Sequence, residues 1–286
     1  MSLIPKNKMS SIPIFYIASM ARSGETVFLR TLNSHTKIHV LHNIENRDSP
    51  SSLRLFERLK KSSVKEIAPG EVEHLSISSN QILIVKQGVY EAKSEFNGVV
   101  LVRNPLSIFA SLISYDSWEI NWSVLNYLFR GSRSGVLRKF KTTRGRLLSW
   151  MKDIDEDFGE LLNNLDTLEM FCAFYNRRML ALLDLKLPIV RYEDFVLEPE
   201  KTLRVLLPKL GLKFETEMLT SEKAYLSNQK GHGNNDLSRS VDTSSLHKYQ
   251  SLDRRLVNRI LALTYPTWTA YGYMWDERTK MMRNSS

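Results

Sequence analysis

One stretch constrains this chain more than any other: an apolar run that breaks into a small polar loop and then into a helix. Ile14, Phe15, Tyr16, Ile17 and Ala18 are consecutive and strand-favouring, which suits a strand buried on both faces of a parallel sheet. Ser19-Met20-Ala21-Arg22-Ser23-Gly24 follows as a turn of small residues carrying one fixed cation. From Glu25 the pattern becomes helical, with Val27, Phe28 and Leu32 on one stripe. Strand, small polar loop and helix start together point backbone N–H groups and a helix dipole at an anion. Arg22 and the hydroxyls of Ser23 and Thr26 add charge-assisted and neutral hydrogen bonds. The stretch reads either as a phosphate or sulfate cradle or as an ordinary strand–turn–helix corner.

Three further apolar runs have strand character: Gln81 to Lys86, Val99 to Arg103, and Leu187 to Tyr192. Helical patterns lie between and after them, at Leu53 to Lys61, from Pro105 through Leu112, at Leu147 to Leu165 and Thr167 to Leu185, from Pro199 to Leu210, and at Leu252 to Tyr265. Pro105 suits an early helix position, where its missing N–H costs nothing, and Gly211 suits a C-terminal cap. Strands alternating with helices predict an α/β fold of three layers, α/β/α, around a central parallel sheet. At 286 residues the chain can bury a full core, so we expect one domain over 13–275, a disordered lead-in at 1–12 and a tail at 276–286. His35 to Ser52 is polar and irregular, and Asp116 to Thr143 is an aromatic-rich segment whose 116–143 span is either a mobile cover over a second substrate or ordinary packing. Thr216 to His247 is a long polar stretch, of the kind that in a compact domain is functional or disordered.

Charge and cysteine usage narrow the classes. The 40 Lys and Arg outnumber the 31 Asp and Glu, for a formal charge of +9, but no basic block stands out. That fits a field attracting an anionic small molecule, or plain solubility, better than a nucleic-acid arm. A lone Cys172 excludes an internal disulfide, argues for a reducing compartment and reads as a core filler. No run approaches the ~20 apolar residues of a membrane span, and the first residues are too short and polar for a signal segment. The expectation is a cytoplasmic protein with no membrane span. His35, His39, His42, Glu45 and Asp48 lie close together without zinc-site spacing, so no metal is expected.

After the third strand, Arg103-Asn104-Pro105 is followed by Ser111, about two turns into the next helix. From a strand end and a helix face, both side chains can reach one phosphate. Arg22-Ser23-Gly24-Glu25-Thr26 lacks the GxxxxGK[ST] spacing of a Walker A loop. It resembles instead the 5′-phosphosulfate loop of the sulfotransferases, a Lys or Arg followed by Ser-Gly-Thr-Thr. Arg103 and Ser111 match the spacing with which that family holds the 3′-phosphate of its donor. VRYEDFVLEPEKTLRVLLPKLGL resembles a further family segment that marks the fold, in which Glu193 could equally tie loops together, and Tyr271-Gly272-Tyr273 resembles the family's ending. Glu25 departs from the pattern: it puts a carboxylate where a hydroxyl is expected, removing a donor and adding repulsion unless it points away along the helix.

The resemblance, which runs from about Pro13 to Tyr273, implies a P-loop nucleoside-kinase-like sulfotransferase fold. It also implies 3′-phosphoadenosine 5′-phosphosulfate (PAPS) as donor, without a metal, and sulfuryl transfer to a hydroxyl or amine of a saccharide, lipid, small phenol or peptide. Positioning and charge stabilisation carry such a transfer. It gives the donor site as Arg22, Ser23, Gly24, Glu25, Thr26, Arg103 and Ser111, with Arg22 on the leaving oxygen and Lys86 on the sulfuryl oxygens. A closing loop over the nucleotide would supply Lys230, Gly231 and Arg239, with His232 and Lys248 as lesser candidates. One branch of the family places its basic histidine two residues beyond the lysine, where this chain has Gly88. Other branches use a glutamate in the segment after the first helix, which points to Glu45 as general base and to His42 next. Two rival classes stay open: a non-catalytic relative that binds nucleotide or glycan, and an ATP-dependent kinase.

Overall fold

Strand β1 (Ile12–Ser19) lies in the middle of a sheet with β2 (Ile38–Leu41), β4 (Ile82–Lys86), β5 (Gly98–Val102) and β6 (Ile189–Arg191), in the order β2-β4-β1-β5-β6. Every one of these pairings is parallel, with Ile17 opposite Lys86 and Ser19 opposite Leu101. A two-residue strand, β3 (Glu66–Ile67), adds antiparallel to the start of β1. This computed structural model describes residues 11–41, 49–60, 62–78, 80–86, 96–116, 147, 165–229, 236–279 and 281–284.

The strands are apolar on both faces, and alternation sends successive side chains to two separate cores. Ile14, Tyr16, Ala18, Leu83, Val85, Val100 and Val102 point into one. That core is completed by α2 (Pro50–Leu59), α3 (Pro105–Asp116), α4 (Thr167–Asp184) and α7 (Arg254–Ala270). Ile17, Ile82, Ile84, Val99 and Leu101 point into the other, against α1 (Glu25–Asn33), α5 (Tyr192–Leu197) and α6 (Pro199–Leu206). Two cores on one sheet make the three-layer α/β fold expected from the sequence. At Gly98 the strands approach so closely that a Cβ would lie 2.2 Å from the Tyr16 carbonyl oxygen.

Several boundaries differ from the sequence expectation. The stretch read as irregular from His35 to Ser52 contains β2, whose Ile38, Val40 and Leu41 are buried. A four-residue strand is too short to show a period, and its pairing with β4 is what defines it. Helix α2 begins three residues early, at Pro50, because the Ser49 side chain caps it by accepting from the Ser52 N–H. Helix α7 runs through Pro266 instead of ending before it. Around that proline the Leu261 and Leu263 carbonyls receive the indole N–H of Trp268 and the side-chain amide of Asn176. Gly211 closes the α6 region in the left-handed conformation, φ 72°, as expected.

The segment read as a tail, 276–286, contains β8 (Met281–Asn284), which pairs antiparallel with β7 (Tyr273–Asp276). The 116–143 segment, apart from Asp116, and the helical pattern at 148–164 lie outside the described residues. Cys172 is buried in α4 and its thiol is pushed up to about 12 by that burial, in keeping with a core filler. Among the described residues, no helix is long and apolar enough to cross a membrane.

Candidate functional site

From β1 the chain turns through α1 to β2 on one side of the sheet, while the next described strand after β5 is β6 on the other. The chain therefore diverges between the carboxyl ends of β1 and β5, the place where open α/β sheets form their crevice. A cavity of 340 Å³ opens there, at the small end of the size range of ligand sites, about 300–1,000 Å³.

The loop after β1 builds one wall. Its first residue is held from outside: Arg178, 1% exposed in α4, donates through both Nε and Nη2 to the Ser19 carbonyl at 3.1 Å. Arg22 then adopts φ 74° and Gly24 φ 94°, both left-handed. For a non-glycine residue such a conformation costs about 1–3 kcal/mol and persists where the surroundings enforce it. At Gly24 a Cβ would sit 2.2 Å from two ring carbons of Tyr192, so only glycine fits. Helix α1 starts at this glycine with no side-chain cap, which leaves its first-turn N–H groups for another acceptor.

Beyond β5, Arg103 is 4% exposed and carries much of the local organisation. Its Nη1 donates to the Arg22 carbonyl at 3.2 Å and its Nη2 to the Ser245 carbonyl at 2.7 Å. The guanidinium lies 4.5 Å from the centre of the Tyr192 ring, whose hydroxyl meets Ser245 Oγ at 3.0 Å. Ser111, on α3, accepts from Arg22 Nε at 3.1 Å. Thus Arg22, Arg103 and Ser111 form one group.

The segment from Asp236 to Lys248 closes the cavity and is itself pinned by α1. Arg30, 2% exposed, donates from Nη1 to the Leu237 and Arg239 carbonyls at 2.7 and 2.8 Å. That brings Arg239 to the cavity wall, where it pairs with Asp242 at 2.5 Å and donates to Ser244. Lys248 also lines the cavity, and its ammonium is held below the usual lysine range. The first cause is desolvation of its charged end; next come Arg103, Arg239 and Arg22, all of like charge. Among the described residues, four cations thus face one space, and two buried polar atoms beside it, Ser23 Oγ and Arg103 Nε, have no partner. Unpaired buried donors and mutual repulsion are both relieved by an anion, so the donor set fits a phosphorylated or sulfated group.

Of the residues singled out from sequence, Arg22, Gly24, Glu25 and Thr26 line this cavity, and so do Arg103, Ser111 and Arg239. Ser23 lies buried behind the wall. Lys86, at the end of β4, faces Glu25: its Nζ is 3.3 Å from Oε1, which also accepts from Ser19 Oγ at 3.0 Å. Burial pushes the Glu25 carboxyl up, but Lys86, Ser19 and the helix start outweigh it and hold the group below the usual carboxylate range. Glu25 therefore does not point away along the helix; it turns inward, onto the lysine. His35 is committed elsewhere, with Nε2 donating to the Lys213 carbonyl and Nδ1 accepting from the Lys37 N–H. His39 sits in β2. His42, Glu45 and Asp48, Gly88, and Lys230, Gly231 and His232 lie outside the described residues.

Sequence reasoning passed over Tyr192, Arg178 and Arg30. Tyr192 stood inside the segment that marks the fold, and the two arginines stood in amphipathic helices where a cation reads as solvated. An arginine amid the apolar residues of α4, or beside Phe28 and Leu29 in α1, was the available sign. Among the described residues, no cluster of three or more His, Cys, Asp or Glu is placed to hold a metal ion.

Comparison with known proteins agrees with this architecture. No family model and no curated protein matches the chain. Among solved structures, the sulfotransferase domain from the curacin biosynthetic pathway is similar over 88% of this chain and 96% of its own, with TM-score 0.50 and 15% identity. The sulfotransferase domain of the Synechococcus PCC 7002 olefin synthase is similar over 92% and 96%, with TM-score 0.49 and 16% identity. The fold is that of the sulfotransferases.

Proposed function

We propose that the protein is a sulfotransferase that takes its sulfuryl group from PAPS and passes it to a hydroxyl or amine of an acceptor. The observation that carries this reading is the convergence of Arg22, Arg103, Arg239 and Lys248 on one cavity at the carboxyl edge of the sheet, beside the uncapped start of α1. A nucleotide with phosphate at its 3′ position and phosphosulfate at its 5′ position presents two anionic ends to such a site. Arg103 and Ser111 would hold the 3′-phosphate, while Arg22 and the first-turn N–H groups of α1 would hold the 5′-phosphate. Lys86 would draw charge from the sulfuryl oxygens.

In this chemistry the acceptor oxygen or nitrogen forms a bond to sulfur as the bond from sulfur to the phosphate oxygen breaks. The acceptor proton passes to a base, and 3′-phosphoadenosine 5′-phosphate (PAP) is released. We assign the base to Glu45, with His42 as the second choice. The cations stabilise charge as it moves onto the leaving phosphate.

The Glu25–Lys86 ion pair favours one second reading, a relative that binds the nucleotide without turnover, because the lysine already has an anionic partner. Calorimetry with PAP, ATP–Mg and AMP tests the donor assignment. PAP is expected to bind tightest and without divalent metal. At ~100 times its Kd it should add about 2.7 kcal/mol of stability. ATP–Mg binding far tighter than PAP would overturn the donor assignment. Tight PAP binding with no transfer to any hydroxyl or amine in an acceptor panel would select the second reading.

A further inference from the structure

On that reading of the site, we propose that Glu25 is a specificity-determining residue that makes the cavity prefer the phosphosulfate donor over the phosphate product. Its carboxylate belongs to the first residue of α1, lines the same cavity as Arg22, and is only 8% exposed. Two contacts from different strands fix it there: the Ser19 hydroxyl at the end of β1, at 3.0 Å, and the Lys86 ammonium at the end of β4, at 3.3 Å. A full negative charge is therefore built into the wall between the phosphate-binding loop and Lys86.

A fixed charge in that place acts unequally on two otherwise similar ligands. A phosphate monoester has its second pKa near 6, so the 5′-phosphate of PAP carries nearly two charges on one phosphorus at pH 7.5. In the phosphosulfate the same phosphorus carries one, and the other rests on sulfuryl oxygens beyond a bridging oxygen. Repulsion grows with the charge and falls with distance, most steeply where water is scarce. Glu25 thus penalises the product more than the donor, and breaking the bond to sulfur raises the repulsion when release is needed. Arg22 supplies the attraction common to both ligands, whereas Lys86 meets and offsets the sulfuryl charge that only the donor carries. A hydroxyl at position 25 would bond to either and separate them little.

The test compares affinities, not turnover. Kd values for PAP and PAPS are measured by calorimetry without acceptor, on the full chain and on Glu25→Gln. Glu25→Gln should tighten PAP by about tenfold or more and PAPS by less than about threefold, so that the preference for donor collapses. A second measurement needs no variant. On the unaltered protein the 5′-phosphate methyl ester of PAP, with one charge on phosphorus, should bind tighter than PAP itself. Equal tightening of both nucleotides in Glu25→Gln, or no change in either, would overturn the inference and leave the donor assignment standing. A methyl ester that binds more weakly than PAP would do the same. If neither PAP nor PAPS binds the unaltered protein, the donor assignment falls and this inference with it.

Discussion

Glu25 and Glu193 occupy matching places in the fold and do opposite things. Each lies in the first turn of a helix that follows a parallel strand, at the carboxyl edge of the sheet, and each is 8% exposed. Glu193 accepts from the Asn104 N–H and side-chain amide at 3.1 and 2.6 Å, and its other oxygen accepts from the Tyr273 hydroxyl at 2.6 Å. Those donors lie 89 and 80 residues away in the chain, so this carboxylate joins the loop after β5 to the strand that ends the domain core. Glu25 is held by a hydroxyl six residues away and by a lysine, and it faces the cavity. Buried carboxylates with several neutral donors serve as cross-links; one balanced by a movable cation beside a cavity is available to a ligand.

A third carboxylate, Glu45, extends the comparison and carries the largest expected effect. If it is the base, Glu45→Gln should cut turnover by about 10²–10⁴-fold while PAP affinity stays within a few-fold. Steady-state rates beside calorimetry check this. Full activity in Glu45→Gln with loss in His42→Ala would move the role to His42.

Glu193→Ala should be next in size and should act on stability. It orphans the Asn104 backbone N–H and the Tyr273 hydroxyl and leaves the Asn104 amide with Ser107 alone, at a cost of about 3–5 kcal/mol in urea unfolding. A loss below 1 kcal/mol would show that water replaces these bonds and that the cross-link is nominal.

Arg103 is next in sequence to the asparagine that Glu193 grips. Arg103→Ala should weaken PAP by about 1.5–3 kcal/mol, the value of a charge-assisted contact. Adenosine 5′-phosphosulfate, which has no 3′-phosphate, should bind nearly as before. Because Arg103 also holds the Arg22 and Ser245 carbonyls, equal losses for both nucleotides would assign it to architecture alone.

The smallest effect is the stability that Glu25 supplies. Its folded carboxyl titrates below its unfolded value, so its contribution is complete above the unfolded value, near pH 4.3, and is lost as pH falls through the folded one. Against Glu25→Gln the native chain should lead by about 1–2 kcal/mol at pH 7, less than the ~1.5–3 kcal/mol of a hydrogen bond to a charged group because the glutamine can still accept from Ser19. That lead should vanish under acid, as paired unfolding curves would show. A lead that does not change with pH would mean that Glu25 titrates alike in the folded and the unfolded chain, and one that grows in acid would mean that it is neutral in the fold.

Much of this was legible beforehand because it is local in the chain. The apolar runs behind β1, β4, β5 and β6 announce themselves within five or six residues, and the loop at Arg22 and the Arg103–Ser111 spacing each fit within one turn-and-helix unit. β2 was missed because four residues carry no period, and α7 was cut short at Pro266 because a proline reads as a helix end, whereas the burial of Thr267 and Trp268 that carries the helix past it is tertiary. The inward turn of Glu25 was equally hidden, since Lys86 is 61 positions away and only the parallel register of β1 with β4 brings the two together.

By itself, then, the sequence determined a three-layer α/β chain and the strand ends from which cations emerge, because strand period, turn chemistry and formal charge are properties of neighbouring residues. The tertiary structure alone decided that Arg178 would hold the Ser19 carbonyl, that Arg30 would carry Arg239 to the cavity, that Tyr192 would lie against both Gly24 and Arg103, and that Lys248 would join the cationic wall. Each of these pairs residues far apart in the chain. Their energies depend on burial and distances of a few ångströms, and packing of the whole molecule sets both.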